Sequence, residues 1–169
     1  MRKAFVSAVF ACTLLAVSAW AQSKQSMVGT WTMDVSQSDF GSEPAPKSGT
    51  VTVLKDTPEM LSWRVHMVDD KGKSISYSWS GPQDGSMHPV MQNGKEVSKQ
   101  SAKREENGSL LRHDEGPDGS SFDARLKVSD DGNTVTDEVT IRAKDGKESK
   151  QKVISHRVTG KKDAKKAGT

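Results

Sequence analysis

The chain has 169 residues, 25 of them basic and 22 acidic, for a net charge of +3 at neutral pH, and 33% of it is hydrophobic. That is enough for one domain with a single buried core, and the near balance of charge does not suit a nucleic-acid binder. One cysteine cannot make a disulfide framework, so packing must hold the fold together.

The first segment reads as an export signal. Arg2 and Lys3 give a positive start, the apolar run Ala4 to Val17 is too short to span a bilayer, and Ala19-Trp20-Ala21 fits the small-x-small cleavage rule. Residues 1–21 are therefore expected to be a secretory signal peptide, with a mature chain starting at Gln22 in the periplasm or outside the cell. Cys12 lies inside the apolar run and not directly after the cut, which argues against a lipid anchor and leaves the mature chain without a thiol. Loss of Arg2 and Lys3 brings the 25 basic residues to 23 against 22 acidic ones. At the other end, residues 161–169 set Lys161, Lys162, Lys165 and Lys166 against Asp163 alone, with nothing large and apolar to bury. They read as a disordered basic tail. Residues 22–160 are the expected folded domain.

Met27-Val28-Gly29-Thr30-Trp31-Thr32-Met33-Asp34-Val35 opens that domain as a strand, in which glycine permits close backbone approach and the indole can close the end of a barrel. Residues 36–48 contain Glu43-Pro44-Ala45-Pro46 and are irregular, with room for a short helical turn at Ser36 to Phe40. After Gly49 the pattern becomes regular. Alternation of apolar and polar residues predicts strands at 49–56, 60–68, 73–80, 86–91, 97–105, 109–114, 120–129, 133–143 and 147–158. Between them stand Lys71-Gly72, Asp84-Gly85, Asn93-Gly94, Asn107-Gly108, Asp118-Gly119, Asp131-Gly132 and Asp145-Gly146, dipeptides that favour the left-handed conformations of tight hairpins.

Two hairpins fix their own register. A three-residue loop Asp70-Lys71-Gly72 sets Met67 opposite Ile75, Val65 opposite Tyr77 and Trp63 opposite Trp79, whereas a slip by one residue would set each against serine. A two-residue turn Asp131-Gly132 sets Val128 opposite Val135, Leu126 opposite Asp137, Ala124 opposite Val139 and Phe122 opposite Ile141. Asp137 alone breaks that apolar face. Around Gly146, two- and three-residue loops fit equally well.

A run of antiparallel strands this long must hide its outer edges, and closure into an up-and-down β-barrel of roughly 8 to 10 strands does so without helices. A two-sheet sandwich is the alternative, but it needs long crossovers where the links after Gly49 are hairpin-sized. Gly29-Thr30-Trp31, Ser38-Asp39-Phe40, Pro44-Ala45-Pro46-Lys47-Ser48 and the Asp84-Gly85 turn before His88-Pro89-Val90 carry a resemblance. From Val28 to about Val158 the chain resembles the lipocalin-like bacterial proteins, exported or lipid-anchored, most of them uncharacterised. It departs from them in having His88 before Pro89 and Met91-Gln92-Asn93 before Gly94, where relatives carry an aromatic and an early glycine.

The resemblance implies a small barrel that binds an apolar molecule in its mouth. Trp63, Val65, Met67, Ile75, Tyr77, Trp79, Phe122, Leu126 and Val128 are the residues that could line it, or could simply fill the interior. Closure of the meander is expected to bring Trp31 beside the last strand, and the resemblance implies that Arg157 stacks over its indole.

No catalytic constellation stands out. Gly-x-Ser-x-Gly and a glycine-rich phosphate cradle are missing, and paired carboxylates such as Asp130-Asp131 fall in turns. His66, His88, His113 and His156 are scattered without metal-ligand spacing, and His113-Asp114-Glu115 with Asp118 reads as a solvated hairpin tip. Lys99, Lys103 and Arg104 are not interleaved with aromatics, as a nucleic-acid face would require. The expectation is a monomeric, non-enzymatic binder or carrier of a small apolar molecule, with no cofactor, no metal, no nucleic acid and no membrane span. The alternative is an envelope stability or interaction protein with a filled barrel, which the hydrophobic content of 33% favours.

Overall fold

The computed structural model describes residues 25–159, so the expected signal peptide and basic tail lie outside the described residues. Ten strands follow one another: β1 (Gly29–Met33), β2 (Ser48–Thr57), β3 (Met60–Val68), β4 (Ser74–Gly81), β5 (His88–Gln92), β6 (Lys95–Arg104), β7 (Leu110–Glu115), β8 (Ser121–Val128), β9 (Thr134–Arg142) and β10 (Glu148–Arg157). Each pairs antiparallel with its neighbour in the chain, and β1 pairs with β10, so the meander closes into a barrel. Closure gives every strand a neighbour on both sides, although β4 and β5 pair only at Ser78 and Trp79.

The predicted registers hold. Met67, Val65 and Trp63 face Ile75, Tyr77 and Trp79, while Val128, Leu126, Ala124 and Phe122 face Val135, Asp137, Val139 and Ile141. Four hairpins share one device: the closing pairs Asp69/Lys73, Glu105/Ser109, Gly116/Ser120 and Ala143/Lys147 each bracket three residues ending in glycine. Gly72, Gly108, Gly119 and Gly146 there adopt φ of 87°, 85°, 86° and 82°, the left-handed position such a loop demands. The loop at Gly146 is thus the three-residue form. The loop at Gly132 is wider than the expected two-residue turn, because the Asp131 carboxylate accepts from Ser129 Oγ and from the Asn133 N–H, and Ser129 and Thr134 close the loop. The register is unchanged.

Ser36 to Phe40 is not helical. The Asp34 carboxylate accepts hydrogen bonds from the Ser36 N–H at 3.0 Å, Ser36 Oγ at 2.6 Å and the Gln37 N–H at 3.1 Å, which forms a side-chain-closed turn instead. Asp39 then rejoins β10, exchanging two backbone hydrogen bonds of 2.8 Å with Lys152.

Strand direction puts both ends of the described chain, and the loops at Gly85, Gly108 and Gly132, at one end of the barrel. That end is the floor. Trp31 is 2% exposed and lies opposite Arg157, whose guanidinium carbon stands 4.1 Å from the indole centroid. Arg157 Nε, Nη1 and Nη2 donate to the carbonyls of Gly132, Val28 and Ser26 at 2.7, 2.6 and 3.1 Å. Gly29 has φ of 134°, and a Cβ there would sit 2.7 Å from Arg157 Nη1, so glycine is needed twice over. Beside this, Asp56 accepts from Arg104 Nη2 at 2.5 Å, Gln83 Nε2 at 2.9 Å and the Met27 N–H at 2.8 Å. Above the floor Val53, Leu61, Trp63, Trp79, Val90, Ala102, Leu110 and Val135 form the packed core.

Candidate functional site

The opposite end is the mouth, ringed by residues 34–47 and by the loops at Gly72, Gly94, Gly119 and Gly146. All the residues expected to line a cavity point inward, but at different depths. Trp79 (2% exposed) and Trp63 (7%) belong to the core, with rings stacked 6.4 Å apart at 22°. Val65, Tyr77, Leu126 and Val128 are half-buried and pack against that core. Met67, Ile75 and Phe122, also half-buried, lie nearer the mouth. The expected lining is therefore layered, with its tryptophans as the base.

Midway up the lumen is a polar centre. Arg112 on β7 lies opposite Ala102 on one side and Ala124 on the other, and these two small residues leave room for its long side chain. Its Nη2 donates to Asp137 Oδ2 at 2.9 Å, and its guanidinium stands 5.6 Å from the Phe122 centroid. This explains the aspartate on the apolar face of β9. Asp114, opposite Gln100 and Phe122, is 8% exposed and accepts from Ser98 Oγ at 3.2 Å. Burial pushes the Asp114 and Asp137 carboxyls above the usual carboxylate range, while the nearby Arg112 charge opposes the rise at both.

Among the described residues five buried side-chain atoms, all on inward-facing residues, make no hydrogen bond: Trp63 Nε1, Gln100 Nε2 and Oε1, Arg112 Nε and Asp137 Oδ1. Gln100 is fully buried, and its backbone carbonyl accepts from Trp79 Nε1 at 3.1 Å while its side-chain amide stays unpaired.

The structure corrects one expectation about acidic residues. His113-Asp114-Glu115 belongs to β7, with Asp114 buried inside, and Asp118 occupies the hairpin tip. The cause is strand alternation, which sends Asp114 inward and His113 outward. On the outer wall His113 contacts Asp123 at 2.7 Å and Glu115 at 3.2 Å. Among the described residues no group of three or more side chains is arranged to hold a metal ion. An outer concavity of about 760 Å³ is lined by Leu111, Ala124 and Val139 together with Lys103, Asp123, Arg125, Glu138 and Lys152.

Gln100, Arg112, Asp114 and Asp137 were not among the residues expected in a site. Asp137 was the available signal, a lone charge on an apolar face. Leu110, Arg112 and Asp114 also share one face of β7 by alternation, but Leu111 on the opposite face left the inward side undecided.

No protein-family model and no curated protein matches the chain. Solved barrels do. A mutant of the fluorescent protein UnaG is 14% identical, with 80% of this chain and 97% of that one covered and a TM-score of 0.51. A de novo designed fluorescence-activating β-barrel is 16% identical over 81% of this chain and 98% of its own, with a TM-score of 0.45. The S-type phycobiliprotein lyase CPES from Guillardia theta is 10% identical over 80% of this chain and 90% of its own, with a TM-score of 0.49. At such identities the likeness is one of fold alone. Among the described residues no helix is long and apolar enough to cross a membrane.

Proposed function

We propose that the protein is an exported, non-catalytic barrel that binds a small, mainly apolar molecule through its mouth. The observation that carries this reading is the gradient of burial along the lumen. Trp31 at the floor and Leu61 and Leu110 in the core above it are 2%, 1% and 2% exposed, whereas the inward-facing Met67, Ile75 and Phe122 near the mouth are half-buried. Ten strands also enclose a wider interior than eight, the size that side chains alone can fill. Export rests on Arg2, Lys3, the apolar run and Ala19-Trp20-Ala21.

The test is titration with N-phenylnaphthylamine, read by its own emission and by tryptophan fluorescence. Saturable binding at micromolar concentration, weakened about tenfold by Met67→Ala or Phe122→Ala, is the expected result. Protein recovered from its host's periplasm or medium should have the intact mass of a chain starting at Gln22. A second reading, a filled barrel that serves stability or surface interaction, is favoured by Trp63, Trp79 and Gln100, which fill the interior at 7%, 2% and 0% exposure. It gains if no apolar probe saturates.

A further inference from the structure

We infer that the polar centre of the lumen recognises an uncharged head group that both donates and accepts hydrogen bonds, of the amide class, carried on an apolar body. This rests on the proposed binding reading and narrows its ligand. Five unpaired atoms define the chemistry: Trp63 Nε1, Gln100 Nε2 and Arg112 Nε offer hydrogens, while Gln100 Oε1 and Asp137 Oδ1 offer lone pairs. They come from β3, β6, β7 and β9, and every one of these side chains faces the lumen. A site built of donors alone would suit an anion. Donors mixed with acceptors suit a group with both.

Charge leads to the same class. Arg112 already faces the carboxylate of Asp137 at 2.9 Å, and Asp114 adds a second inward carboxyl, so the centre holds no surplus positive charge for a ligand carboxylate. The other inward arginines are engaged at the floor, Arg104 with Asp56 and Arg157 with three carbonyls. Below the centre, stacked Trp63 and Trp79 form a flat apolar base. Above it, Phe122, Ile75 and Met67 line the way toward the mouth for the apolar body. Gln100 is central, because a fully buried primary amide without a partner costs stability unless something recruits it.

The experiment displaces bound N-phenylnaphthylamine with three ligands of equal chain length: octanamide, octanoate and methyl octanoate. The amide should compete at least about tenfold better than either of the others, the gain of one to two well-made hydrogen bonds. Gln100→Leu should remove that preference, keep the binding of N-phenylnaphthylamine and raise the melting temperature, since leucine replaces an unpaired amide at similar volume. Trp63→Phe, which deletes one donor and keeps an aromatic side chain, should reduce the preference by a smaller factor. Equal competition by the three ligands, with N-phenylnaphthylamine still bound, would overturn the inference and leave the binding reading standing. A Gln100→Leu variant that melts lower and keeps the preference would overturn it too, by giving Gln100 a structural role. No saturable binding of any of the four compounds removes both readings.

Discussion

The floor and the middle of the barrel are both built around arginines, and they treat them in opposite ways. At the floor Arg157 places Nε, Nη1 and Nη2 on three carbonyls and its flat face on Trp31, and Arg104 places the same three nitrogens on Gln83, Gly108 and Asp56. In the middle, Arg112 makes one hydrogen bond and leaves Nε unpaired beside an unpaired Asp137 Oδ1. A buried polar atom without a partner costs about 1–3 kcal/mol. Saturated arginines therefore lock the fold, whereas the middle is less stable than an apolar core of the same shape would be. Those residues carry a cost that leucine or methionine in their place would avoid. Their presence is the physical reason to look for function there and not at the floor.

The largest effect should come from breaking the floor. Trp31→Ala should cost roughly 3–5 kcal/mol in urea unfolding, the usual range for removing a buried aromatic. Arg157→Ala should also destabilise, and the double variant should lose less than the sum by about 0.5–2 kcal/mol, the worth of the shared cation–π contact. Strict additivity would mean that the 4.1 Å stacking contributes nothing.

Next in size is the central pair. Arg112→Met leaves Asp137 facing an apolar lumen and should cost about 3 kcal/mol, the low end for breaking a buried pair, because both side chains keep 16–17% exposure. Adding Asp137→Leu should recover most of that loss, the reverse of the floor, where no second substitution rescues the first. The pH dependence has a definite sign. Burial raises the folded Asp137 carboxyl above its unfolded value, so its protonated form contributes stability that is present below the unfolded value and is lost as pH rises through the folded one. Removing Arg112 takes away the opposing charge and lifts the folded value further. The deficit of Arg112→Met relative to the parent should thus be smallest in acid and grow toward neutral pH. A pH-independent deficit would point to lost packing on Phe122 instead.

The floor was legible in the sequence because Gly29-Thr30-Trp31 opens the strand, turn glycines set the registers and closure of the meander brings the first strand to the last, while the family resemblance supplied the stacking of Arg157 on Trp31. The apolar lining was legible for the same reason, since alternation and register place Trp63, Val65, Met67, Tyr77, Trp79, Phe122 and Leu126 on one face. Alternation does not give depth, however, so the tryptophans at the base and Met67 near the mouth looked equivalent. The polar centre was hidden because its members lie far apart in the chain and each resembles a surface residue. Asp114 sat in an acidic run and Gln100 beside lysines, and Arg112 is paired with a residue 25 positions away. Asp137 showed through, but its partner became identifiable after closure had fixed which side chains meet.

The smallest effect concerns an ion pair outside the lumen, and it tests whether location or composition sets the strength of a charged contact. His113 on the outer wall has a raised pKa, chiefly through its hydrogen bond with Asp123, which outweighs the opposing desolvation, while the contact with Glu115 adds a smaller rise. Because the folded value lies above the unfolded one, the contact stabilises fully below about pH 6.5 and its contribution disappears as pH rises through the folded value. His113 and Asp123 are 37% and 54% exposed, so solvent screens them and the contribution should be a few tenths of a kcal/mol to about 1 kcal/mol. Asp123→Asn should accordingly lower the His113 titration midpoint, followed by proton NMR of its ring, and cost a little stability at pH 6 and nothing at pH 9. Molar salt should erase that small cost, because the Debye length falls to about 3 Å, yet leave the deficit of Arg112→Met nearly intact. Equal salt sensitivity at the two sites would show that the central pair is reached by solvent and ions, and would undo the contrast between a shielded lumen and an exposed wall.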